Sequence, residues 1–101
     1  MIGLMMLLAA VGADARCPMP IQLDQPPRAM IDNESTAKQI AEIYLTKIYG
    51  AEIKDELPLQ ANLQGGIWHL KGHLPRLMLG GVAEIDLCQS NGQVLQVFHG
   101  D

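Results

Sequence analysis

The residues able to do chemistry in this chain are few, and their spacing limits what they can do. His69 and His73 lie four apart in a stretch that alternates apolar and polar residues. Four strand residues span about 13 Å at about 3.3 Å each, so the two imidazoles share a face but cannot share one ion. Glu84 and Asp86 stand two apart, on one face of a second alternating stretch. Paired carboxylates act as acid and base only in a desolvated cleft, and on an alternating strand they read as a solvated face. Cys17 and Cys88 are the two cysteines, with no CxxC, so a four-thiolate zinc site is excluded by count. Cys88 ends a strand pattern, where no helix N-terminus stabilises a thiolate nucleophile. No serine has the flanks of GxSxG, and the glycine pairs lack a phosphate-loop lysine. Trp68 reads as core rather than as a ligand clamp. These residues predict no enzyme, no metal and no cofactor.

The elements that must position these residues fit one small domain. The chain has 101 residues and a mass of 11.0 kDa. Seven basic residues against 11 acidic ones give a net charge of -4, which lacks the footprint of a nucleic-acid binder. Hydrophobic residues at 49% and charged residues at 18% support a packed core. No apolar run reaches membrane-spanning length, so the mature chain is not expected to insert in a membrane.

Met1 to Val11 is apolar and uncharged, and Ala13-x-Ala15 follows. This fits a signal peptide over residues 1–15, cut before Arg16, although no basic residue precedes the apolar run. The alternative is a buried N-terminal helix or strand. Export makes one disulfide between Cys17 and Cys88 the expectation, and two unpaired thiols the alternative.

Residues 16–34 hold Pro18, Pro20, Pro26 and Pro27, which predict an extended lead-in. Beyond it, Ala37, Ile40, Ala41, Tyr44 and Ile48 form one face of an amphipathic helix over residues 35–49, ended by Gly50. The period then changes to two. Leu57, Leu59, Ala61 and Leu63 alternate with polar residues, and Gly65-Gly66 marks a hairpin. Residues 67–74 put Trp68, Leu70 and Leu74 on one face and His69, Lys71 and His73 on the other. Residues 82–88 place Ala83, Ile85 and Leu87 opposite Glu84 and Asp86. Asn91-Gly92 marks a second hairpin, and residues 93–99 carry Val94, Leu95, Val97 and Phe98 towards both faces. The fold class expected is α+β: one main amphipathic helix packed on a four-stranded antiparallel meander. Its expected core includes Trp68, Ile40, Tyr44, Leu59 and Ile85.

The order of these residues carries a resemblance. Ala37-x-x-Ile40-Ala41-Glu42, Ile48-Tyr49-Gly50, Leu57-Pro58-Leu59-x-Ala61-x-Leu63, Trp68-x-Leu70-x-Gly72-x-Leu74-Pro75, Gly80-Gly81-Val82-Ala83-x-Ile85, Asn91-Gly92-x-Val94-Leu95 and His99-Gly100 follow one another. Residues 35–101 thereby resemble bacterial immunity proteins with a nuclear-transport-factor-2-like fold, found in polymorphic toxin systems. The resemblance implies a small protein that binds a cognate protein toxin and blocks it. The matched residues are fold-defining positions and assign no toxin contact. Combined with export, the resemblance leads to an expected site of action in the periplasm. The expected partner there is a peptidoglycan-targeting effector of type VI secretion, with a membrane-directed or lipase toxin second. The rival reading is a periplasmic small-ligand-binding module with its pocket between helix and sheet.

A helix on one face of an antiparallel sheet leaves the other face free. The alternation assigns that face Gln60, Asn62, His69, Lys71, His73, Glu84 and Asp86, with Gln96 at its margin. The adjoining loop adds Arg76, Leu77, Met78 and Leu79, residue types suited to an interface. The partner-binding residues expected from this pattern are His69, Lys71, His73, Arg76, Leu77, Met78, Glu84 and Asp86. The alternative is a merely solvated face with the loop folded back on the core.

Overall fold

The computed structural model describes residues 16–17, 29–74 and 80–100. The expected signal peptide, most of the lead-in and the loop holding Arg76, Leu77, Met78 and Leu79 lie outside them.

Helix α1 spans Glu34–Tyr49. Asn33 caps it, its side chain accepting from the Thr36 N–H at 2.8 Å. Glu34 and Lys38 form an i,i+4 ion pair at 2.8 Å, and the Gly50 N–H closes the last turn on the Thr46 carbonyl. The buried stripe is Ala37, Ala41 and Leu45. It is rotated from the expected face: Tyr44 is 40% exposed and Ile48 52%, while Ile40 only flanks the core. Apolar residues surround much of this helix, so periodicity leaves its phase open. The two alanines fix the phase, because their small side chains let the helix axis approach the sheet closely.

A 3-10 helix, Ala51–Glu56, follows and buries Ile53. The sheet comprises β1 (Gln60–Gln64), β2 (Ile67–Lys71), β3 (Ala83–Cys88) and β4 (Val94–His99), in the order β1-β2-β3-β4 with antiparallel neighbours. Gly65 and Gly66, at φ 58° and 80°, make the two-residue hairpin that side-chain-bearing residues disfavour. Trp68, Leu70, Ala83, Ile85 and Leu87 face the helix and join Leu59, Ile53 and Ile31 in the core. The Trp68 indole N–H donates to the Ile31 carbonyl at 2.9 Å, so the end of the lead-in closes the core beside the helix N-terminus.

Three expectations are corrected. Strand β2 ends at Lys71, not Leu74: the Gly72 N–H still reaches the Ala83 carbonyl, but the Ala83 N–H donates to Glu56 Oε1 and the His73 N–H to the Glu56 carbonyl, and Leu74 is 38% exposed. Leu63 shares the core-facing side of β1 with Ala61 but is 45% exposed at the sheet margin. In β4, the pairing skips Leu95, so Val94 opposite Leu87 and Val97 opposite Ile85 both reach the core although they are three apart.

Glu56 joins several of these elements. Its Oε1 accepts from the Ala83 N–H at 2.7 Å, and its Oε2 lies 2.9 Å from His99 Nε2. Tyr49 meets the His99 ring edge-on at 5.3 Å between centroids. Gly72 packs on the Glu56 side chain and Gly81 on the Gly100 backbone, with no room at either for a Cβ. Cys17 and Cys88 are disulfide-bonded with Cα atoms 5.5 Å apart. The Ser90 hydroxyl donates to the Cys17 carbonyl, and the Met30 and Ile31 N–H groups donate to the Ser90 and Gln89 carbonyls.

Candidate partner-binding face

Strand register places the candidate residues on the sheet face away from α1. One row across the sheet runs Asn62, His69, Asp86, Gln96, and the next runs Gln60, Lys71, Glu84, Phe98. A third holds Gln64, Ile67 and the disulfide-bonded Cys88. The alternation of two that buries Trp68, Leu70, Ile85 and Leu87 turns these residues the other way.

His69 organises the centre of this face. Its Nδ1 lies 2.5 Å from Asp86 Oδ1 and its Nε2 2.9 Å from Glu84 Oε1. Asp86 is its direct cross-strand neighbour and Glu84 is diagonal to it, so one ring spans two carboxylates that would otherwise repel. A singly protonated imidazole donates to one of them, whereas the doubly protonated ring donates to both. Glu84, Asp86 and His69 are all half-buried, so the cluster is held by its neighbours rather than freely solvated. Among the described residues, no group of three His, Cys, Asp or Glu has a geometry that could hold a metal ion.

Lys71 is exposed beside this cluster, and Phe98 adds an apolar ring that is 40% exposed. The alternation did not single out Phe98, because the bulge before it changes the parity of β4. His73 is not in the rows. It is exposed beyond the end of β2, and it borders a notch at the β1 edge together with Glu34, Lys38 and Leu59. Arg76, Leu77 and Met78 lie outside the described residues. The structure thus brings His69, Lys71, Glu84 and Asp86 together, and His73, past the end of β2, borders a further concavity with Lys71 and Glu84. Glu56 and its contacts had no periodic signal, since Glu56 lies in a short charged stretch between helix and strand.

Among the described residues, the meander is covered by α1 on one side, while on the other Arg16 and Cys17 lie over its Cys88 end and the rows around His69 present mostly polar side chains. A family model described as NTF2 fold immunity protein matches residues 36–101, and the chain belongs to that family. No curated protein and no solved structure matches it. The chain is accordingly an immunity protein whose role is to neutralise a toxin, and its partner is the cognate toxin. Family membership suggests that it acts by binding rather than by catalysis.

Proposed function

We propose that this immunity protein works in the periplasm, exported on residues 1–15. There it neutralises a peptidoglycan-targeting effector delivered by type VI secretion, covering the toxin with the open face of its sheet. The observation that carries the location is the Cys17–Cys88 bond, because such bonds persist in oxidising compartments and not in the cytosol. An inhibitor of a wall-directed enzyme must meet that enzyme outside the inner membrane. The contact face is supported by the cluster centred on His69, in which His69, Glu84 and Asp86 are held by cross-strand contacts before any toxin arrives.

Two measurements test the proposal. Intact-mass analysis of fractionated cells should find residues 1–15 missing from periplasmic protein, and Met1 retained on a cytosolic product refutes the export step. The toxin encoded beside this gene should co-purify with the chain. Glu84→Lys with Asp86→Lys should weaken that complex about tenfold or more, since opposite charges replace ordered ones at its centre. Arg76→Glu with Met78→Asp tests the loop separately. Wild-type affinity in both variants refutes the assigned surface.

A further inference from the structure

We propose that the β1 edge is a self-association surface: two copies pair β1 with β1, antiparallel, about a two-fold axis at Asn62. The paired sheets form one continuous eight-stranded sheet.

Among the described residues, β1 is hydrogen-bonded to a neighbouring strand on one side only. Native edge strands are usually guarded by charge, proline or a bulge. The other edge, β4, carries such a bulge at Leu95. Strand β1 carries none of these guards: Gln60-Ala61-Asn62-Leu63-Gln64 is uncharged, lacks proline and pairs with β2 in unbroken register.

The same five residues read almost identically in both directions, so in an isologous contact, where residue i meets j and j meets i, like side chains face each other. Antiparallel pairing about Asn62 sets Gln60 against Gln64, Asn62 against Asn62 and Ala61 against Leu63. Each pair then lies on the same side of the joined sheet. The amides meet on the open face, where side-chain amides can donate and accept across the junction.

On the helix side, the pairing accounts for Leu63, an apolar side chain left 45% exposed. Opposite it lies Ala61, at a notch of about 570 Å³ whose apolar floor is Pro58, Leu59 and Ala61 and whose rim is polar, with Glu34, Lys38 and His73. Leu63 of the second copy enters that notch, and the two-fold axis repeats the insertion. A pair of five-residue strands lies at the small end of interface sizes, so association is expected in the micromolar range. The joined edge takes up Gln60, Asn62 and Gln64 at the margin of the open face and leaves His69, Lys71, Glu84 and Asp86 uncovered for the toxin.

Light scattering or sedimentation of the mature protein, from about 1 μM to about 1 mM, should show its mass rising from one chain to two. Asn62→Lys, which sets like charges against each other at the axis, should leave a folded monomer. An equal mixture of Asn62→Lys and Asn62→Glu should restore the dimer. Leu63→Ser should weaken association about tenfold or more through lost apolar burial. It also carries the test if Asn62→Lys does not fold. A wild-type protein that stays monomeric throughout overturns the proposal, as does a dimer indifferent to both substitutions. A chain that is monomeric alone, but whose Leu63→Ser variant loses the toxin, also overturns it by assigning the edge to the toxin.

Discussion

Replacing Glu56 tests whether the 3-10 helix is fastened to the sheet by one side chain. In Glu56→Ala the N–H of Ala83, a residue only 1% exposed, loses its acceptor. An orphaned buried donor costs about 1–3 kcal/mol. Loss of the partly solvated contact to His99 adds about 0–1 kcal/mol. The expected total is about 1–4 kcal/mol, a large share of the roughly 5–15 kcal/mol that holds a domain together. Glu56→Gln should behave differently. Its amide oxygen still accepts from Ala83. His99 Nδ1 lies 3.0 Å from the Gly100 carbonyl, which can only accept, so that nitrogen carries a proton. In neutral His99 the lone pair of Nε2 then faces position 56, where a glutamine NH₂ can donate to it. The cost of Glu56→Gln should therefore stay below about 1 kcal/mol. Urea unfolding followed by the fluorescence of Trp68, the one tryptophan, measures both. The reasoning fails if Glu56→Ala changes stability by less than about 0.5 kcal/mol, the range of an ordinary surface substitution. It fails equally if Glu56→Gln is as damaging as Glu56→Ala, because acceptor geometry would then not be what matters.

Gly81→Ala places a methyl on the Gly100 backbone and should lower the thermal midpoint by detaching the end of β4, whereas an unchanged melt would refute the close approach. Cys17→Ser should cost up to about 4 kcal/mol, given the separation of 71 residues, and denaturant titration with and without reductant checks the figure. Trp68→Ala should cost about 3–5 kcal/mol by emptying the core, while Trp68→Phe should lose about 1–2 kcal/mol with the Ile31 hydrogen bond. A Trp68→Phe variant as stable as the parent in a chemical melt would show that this bond contributes nothing.

The meander was legible because β2 and β3 alternate strictly and Gly65-Gly66 permits a single kind of hairpin. That alternation also placed His69, Lys71, Glu84 and Asp86 on one face. It could not phase α1, where Ile40, Ile43, Tyr44, Leu45 and Ile48 offer competing stripes and alanine packing decides. Nor could it show where β2 leaves the ladder, because that depends on Glu56, 16 positions before Gly72 and unmarked by any period. Val94 and Val97 looked irregular for the same kind of reason: a bulge is set by the partner strand, not by local sequence. The helix N-cap at Asn33, by contrast, is a local device, and the sequence around it offers the residue types that cap.

Strand β3 and the residue before it fasten both ends of the described chain, Cys88 holding Cys17 and the Val82 carbonyl accepting from the Gly100 N–H. The ribosome delivers these partners in a telling order. Cys17 is made early and waits through 71 positions for the residue that secures it. Until β3 arrives, α1 and the β1–β2 hairpin have no strand to complete their core. Assembly therefore depends on pairing between distant parts of the sequence, which slows folding. A nascent chain interrupted before β3 holds a helix and a hairpin whose apolar sides remain open to water, the kind of intermediate that chaperones and proteases recognise.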